Sequence, residues 1–105
     1  GSGREIDPQR LLEIGINAVL IDLDNTLVEW TSSELEPQVE DWVREALWAG
    51  VKVCIVSNTD REARIAAIAK RLGIPYVLHA QKPRRGAFRR AMDLLGVGTA
   101  TTAII

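Results

Sequence analysis

Two carboxylates two positions apart, Asp22 and Asp24, close the apolar run Ala18-Val19-Leu20-Ile21 and lead into Asn25, Thr26 and Leu27. A short apolar run that ends in a polar cluster reads as a buried strand of a parallel sheet. Side chains alternate along a strand, so the two acids share a face wherever the extended geometry persists. They project beyond the carboxyl end of the strand, the edge on which open α/β sheets place their sites. A solvated strand-to-loop junction with an Asx turn at Asp24 or Asn25 is the plainer account. Polar residues at two further strand ends weigh against it.

Ser57 and Asn58 follow the apolar run Val51 to Val56, and Lys82 follows the run Tyr76 to His79. In a parallel sheet all three strand ends lie on one edge. A carboxylate pair, a hydroxyl near a helix start and a lysine brought together there suit phosphoryl transfer. One aspartate attacks phosphorus, the other handles the leaving-group proton, and the hydroxyl and lysine hold phosphate oxygens. A carboxylate about 4 Å from a phosphate dianion is repelled by roughly 8 kcal/mol at an effective dielectric of 20. Lys82 and helix-start amides offset only part of that repulsion. A divalent cation is therefore expected, and Mg²⁺ suits carboxylate and carbonyl ligands.

The elements that position these groups are legible in order. Asp7-Pro8 starts a short helix to Ile14, ended by Gly15, with Asp7 as N-cap. The first strand runs from Ala18 to Leu23, and Val28 to Glu36 reads as a loop or flap that includes Trp30. Pro37 opens a helix whose stripe is Val39, Trp42, Val43, Ala46 and Leu47, with Trp48 at its border and Gly50 as its stop. After the second strand, Thr59 with Glu62 has capping-box spacing for a third helix. That helix carries Ile65, Ile68, Ala69 and Leu72 inward and ends at Gly73. Lys82-Pro83 starts a fourth, with Ala87, Phe88, Ala91, Leu94 and Leu95 facing inward and Gly96 ending it; Thr101 to Ile105 is a fourth strand. Helices alternating with apolar strands predict right-handed βαβ crossovers and a three-layer, Rossmann-like α/β fold.

At 105 residues, 47% of them apolar and 26% charged, the chain has the size and composition of one globular domain. Residues 1–3 read as an expression scar and residues 4–105 as the domain. No apolar run reaches the length of a membrane span and no signal peptide is evident. The lone Cys54 and the single histidine, His79, exclude a disulfide framework and a Cys/His metal cluster. A buried thiol in a reducing, cytoplasmic compartment is the expectation. Residues 1–50 carry eleven acidic and three basic residues, net −8, and residues 51–105 ten basic and three acidic, net +7. Such asymmetry serves an anionic partner or attraction between the two halves equally well.

Asp22-Leu23-Asp24-Asn25-Thr26 resembles the DxDx[TV] motif of the haloacid dehalogenase (HAD) superfamily. Ser57-Asn58 is similar to its second motif and Lys82 to its third, on the elements where these belong. The DLDNTL, IVSN and KP…AF segments are closest to the class III, phosphatidylglycerophosphatase-like branch. The resemblance implies a Mg²⁺-dependent phosphomonoester hydrolase acting through an aspartyl-phosphate. Asp22 is then the nucleophile and Asp24 the general acid and later base. The Asp22 carboxylate and the backbone carbonyl of Asp24 bind Mg²⁺. Ser57, Asn58 and Lys82 hold the phosphoryl group. The family's strand order is fourth, first, second, third.

The family's fourth motif, with the acids that complete the metal site, does not appear after Ile105, so weak Mg²⁺ binding and slight activity are expected. No cap insertion is visible, and an open site suits a bulky or lipid phosphate. Arg84, Arg85, Arg89 and Arg90 beside Lys82 would then meet an anionic membrane surface peripherally. A nucleic acid is not an expected partner. The uncharged edge strand suggests a homo-oligomer formed through residues 99–105. Two other readings are a non-catalytic module with a phosphatase fold and a receiver-like phosphoacceptor, whose acid pair is usually adjacent and whose acceptor follows a later strand.

Overall fold

The computed structural model describes residues 7–23, 37–58, 61–79 and 84–105. The side chains of Leu23, Pro37 and Arg84 are not among those described. Trp30, the segment from Val28 to Glu36, Thr59 and Lys82 lie outside these residues.

Helix α1 (Pro8–Glu13) begins where the Asp7 carboxylate accepts from the backbone N–H of Gln9 at 3.0 Å. Strand β1 (Ala18–Leu23) has the predicted bounds. It is followed by α2 (Pro37–Ala49), β2 (Lys52–Ser57), α3 (Glu62–Leu72), β3 (Tyr76–Leu78), α4 (Arg84–Leu95) and β4 (Thr102–Ile104). A single 3-10 turn, Thr99–Thr101, precedes β4. Helix α3 ends as its sequence foretells, on a left-handed Gly73 with φ 73°.

The four strands form one parallel sheet in the order β3-β2-β1-β4, the order expected. The chain steps outward from β1 to β2 to β3, then crosses back past both to β4. Right-handed crossovers that travel in opposite directions put their helices on opposite faces. The packing follows this rule. Val19, Ile21, Val53 and Ile55 pack with Trp42, Val43, Ala46, Ile65, Ile68 and Leu72 on the face of α2 and α3. Leu20, Cys54, Val56 and Val77 pack with Ala87 and Ala91 of α4 on the other. Helices on both faces of a parallel sheet make the expected three-layer α/β architecture. The strand order reverses between β1 and β4, so the topological switch point lies beside the carboxyl end of β1.

Three local expectations need correction. Leu94 is 57% exposed, and Met92 packs beside Phe88 and Leu95 instead, because the inward stripe of α4 follows i, i+4 spacing from Ala87 and Phe88. Leu47 is exposed in the same way at the margin of α2, whereas Trp42 is buried. Helix α3 starts at Glu62 with Arg61 as N-cap and no side-chain cap bond, so Glu62 is not at the third helical position that a capping box requires. Its carboxylate instead accepts from the Tyr76 hydroxyl at 3.1 Å.

Candidate active site

β1 is a central strand, paired over its whole length with β2 and on its other side with β4. Asp22 lies one residue before its end, in register with Val56 of β2. The backbone N–H of Asp22 donates to the Ile105 carbonyl at 3.0 Å, and the Ile105 N–H donates to the Leu20 carbonyl at 3.0 Å. The main chain carrying this acid is thus held from both sides. Its side chain is half-buried.

Ser57 is the last residue of β2, in register with Leu23 and with Leu78, and is 1% exposed. Asn58 follows it and is half-buried. Alternation along the strands sets out the rows. Leu20, Cys54 and Val56 face α4, so Asp22 and Asn58 take that face too, two residues beyond Leu20 and Val56. Ser57 belongs to the row of Leu23 and Leu78, between these two. The structure therefore brings Asp22, Ser57 and Asn58 to the same edge of adjacent strands, at the switch point. Asp24 and Lys82 lie outside the described residues.

His79 is the residue that sequence reasoning passed over. It is 7% exposed, and its N–H donates to the Ser57 carbonyl at 3.0 Å as the last rung of the β2–β3 ladder. Asn58 Oδ1 and His79 Nε2 are both fully buried with no hydrogen-bond partner among the described residues. The available signal was parity, since His79 stands two residues beyond the α4-facing Val77.

Metal ligation is tested by the donor set. Asp22 supplies a hard carboxylate oxygen, the type Mg²⁺ takes. Among the described residues, no three His, Cys, Asp or Glu side chains group closely enough to hold an ion. The Cys54 thiol, wholly enclosed, is pushed up to about 11 by burial and is no nucleophile or ligand at neutral pH.

The charge on α4 is concentrated on its outer surface. Arg85, Arg89 and Arg90 are exposed, and among the described residues the ion pairs involve Arg10, Arg44 and Arg71 instead. No helix of the described residues is long and apolar enough to cross a membrane.

The chain is similar to the probable phosphatase YqeG of Bacillus subtilis (strain 168), with 41% identity over 87 residues. The match takes in 83% of this chain and 50% of the relative, so the chain spans about half the length of the curated relative it matches. No family model matches the chain, and no solved structure matches it significantly. The parallel order 3-2-1-4 with helices on both faces is a Rossmann-like α/β architecture consistent with a HAD-like fold over the part of that relative which the chain matches.

Proposed function

We propose that this chain carries the nucleophile half of a phosphomonoester hydrolase site. The observation that carries the reading is Asp22, held through its main chain by β4 at the switch-point edge, with Ser57 and Asn58 at the end of the adjacent strand. The likeness to a probable phosphatase supports a phosphorylated substrate.

In this mechanism a carboxylate oxygen of Asp22 attacks phosphorus, and the bond from phosphorus to the leaving oxygen breaks. Asp24 gives that oxygen its proton, then takes a proton from the water that attacks the aspartyl-phosphate. Inorganic phosphate leaves and the Asp22 carboxylate is restored. Ser57, Asn58 and Lys82 hold the phosphoryl oxygens by hydrogen bonds and charge. The Asp22 carboxylate and the Asp24 backbone carbonyl would hold Mg²⁺, which would supply neutralisation of the negative charge at the site.

The exposed arginines of α4 favour a bulky anionic substrate, a lipid phosphate presented at an anionic surface. The edge strand β4 favours pairing with a second copy. Incubation with a generic phosphomonoester and Mg²⁺, beside Asp22→Asn, tests the central reading. The slight hydrolysis expected of this chain should fall to background in Asp22→Asn, the result of losing a covalent nucleophile. Near-normal turnover by Asp22→Asn overturns the assignment.

A further inference from the structure

Helices α2 and α4 lie on opposite faces of the sheet, and their outer surfaces carry opposite charge. Three acids and one arginine of α2 (Glu40, Asp41, Arg44, Glu45) give it net −2. Among the described side chains of α4, three arginines and one acid (Arg85, Arg89, Arg90, Asp93) give net +2. Arg44 and Arg71 both engage Glu40, which leaves Asp41 and Glu45 exposed with no ion pair among the described residues. Arg85, Arg89 and Arg90 are likewise exposed and without one. Part of the asymmetry between the acidic and basic halves of the sequence thus comes to the surface on two opposed helices.

Both surfaces also end in an apolar side chain in water. Trp48 is 86% exposed in the last turn of α2, with Leu47 beside it, and Leu94 is 57% exposed in the last turn of α4. A scattered exposed leucine is ordinary, but a bare indole is a large apolar surface of the kind that anchors interfaces. The order along the two helices is the same. Asp41, Glu45 and Trp48 make one stripe at i, i+4 and i+7. Arg85 and Arg89 are one turn apart, and Arg90 is one turn before Leu94.

We propose that this chain stacks head to tail on a second copy of itself, the α4 surface of one docking on the α2 surface of the next. Both helices return the chain between parallel strands, so both run against the strands and in the same direction as each other. A copy displaced across the layers, without being turned over, therefore lays its α4 along α2 with matching polarity. Arg85 then faces Asp41, Arg89 and Arg90 face Glu45, and Leu94 meets Trp48. The contact joins two different surfaces, so each added copy leaves one of each open and the assembly does not close. It does not rest on the phosphatase reading, but it occupies the arginines which that reading offers to an anionic surface, so the two contacts exclude each other.

Light scattering of the full chain at low and high salt tests this. At low salt the mean mass should rise with concentration past two chains, and added salt should reverse the rise, because exposed charges are screened. Arg89→Glu/Arg90→Glu and Asp41→Lys/Glu45→Lys should each weaken self-association about tenfold, the scale of two exposed pairs lost. Trp48→Ala should weaken it as well. Mixing the two charge-reversed proteins should restore it, since acid again faces base at both kinds of contact. A chain that stays single at low salt and high micromolar concentration overturns the stack. So does a mass that the charge reversals leave unchanged, the result for copies paired only through the β4 edge. Co-sedimentation with phosphatidylglycerol vesicles reads the rival: if Arg89→Glu/Arg90→Glu loses the vesicles yet keeps the wild-type mass, the surface serves an anionic membrane and the stack is overturned.

Discussion

Arg71 of α3 grips Glu40 of α2 with two nitrogens, Nη2 to Oε1 and Nε to Oε2, each at 3.2 Å. Arg44, one turn along α2 from Glu40, adds a third contact from Nη2 to Oε2 at 2.6 Å. The hydrogen bonds from Arg44 and then Arg71 hold the Glu40 carboxyl below its ordinary 4.5. One acid thus fastens the two helices that share a face of the sheet.

The pH dependence of this clamp follows from the direction of that shift. A carboxyl depressed in the folded state contributes stability above its unfolded pKa, and the contribution is lost as pH falls through the folded pKa. Glu40→Gln should therefore lower the melting temperature at pH 7. The gap to the wild type should narrow below pH 4.5 and close in stronger acid. Thermal melts of both proteins from pH 7 to pH 2 check this. A constant gap would mean that the charge is not what matters.

Cys54 makes the opposite prediction at the alkaline end. Burial raises its thiol from 9.0 to about 11, so the folded state holds the proton longer than the unfolded chain. The associated stability is fully present below about pH 9 and is lost as pH rises through about 11. Cys54→Ala removes this alkaline slope at the cost of a small cavity. In the native protein a thiol reagent at pH 8 should react only as fast as the chain opens. Rapid labelling without denaturant would show an accessible thiolate.

Metal affinity is the third expectation. With Asp22 as the carboxylate that the described edge supplies, the chain should bind Mg²⁺ no more tightly than the millimolar range, about 4 kcal/mol. Calorimetric titration reads this directly. Micromolar affinity would require further oxygen ligands from outside the described residues.

The edge strand gives the fourth. Among the described residues β4 pairs on one side only, with β1, and Ile104 is 51% exposed. The sequence from Thr101 to Ile105 holds no charge and no proline, the usual guards of an open edge. Light scattering should give a mass above the 11.6 kDa of one chain, and Thr102→Lys should bring it down. A monomer at high micromolar concentration rules out pairing of copies through this edge.

What was legible in the sequence was local. β1 has the expected bounds because an apolar run stops abruptly at acids. α3 buries Ile65, Ile68, Ala69 and Leu72 because 3.6-residue periodicity selects one face. The strand order was legible through the HAD resemblance. Leu94 was misplaced because an apolar residue at a stripe's margin is assigned by the neighbouring layer, and over α4 that layer ends at Met92 and Leu95. For the site, Asp22, Ser57 and Asn58 announce themselves as polar residues at apolar strand ends. His79 does not, because its place beside the end of β2 exists only through the pairing of β2 with β3, where its backbone N–H meets the Ser57 carbonyl 22 positions away in the chain. Periodicity inside one segment carries no information about such a register.

The two faces of the sheet are not equally cohesive. On one, two long helices interlock branched and aromatic side chains; on the other, α4 rests on the sheet through Ala87 and Ala91, with Phe88, Met92 and Leu95 beside them. Alanines admit a helix closely but bury little area, so contact there is intimate without being strong. The Lys52 ammonium, bonded to the Leu95 carbonyl at 2.9 Å, pins the far end of α4 to the start of β2. A helix seated mainly through small side chains is expected to open more readily than α2 and α3, which hydrogen exchange of its amides would read. In the chain its first residue, Arg84, comes two positions after Lys82, so in the phosphoryl reading proposed above its motion would bear on how firmly a phosphate is held. On that same reading, the face of α2 and α3 would keep Asp22 in place while motion of α4 would set how long a phosphate stays.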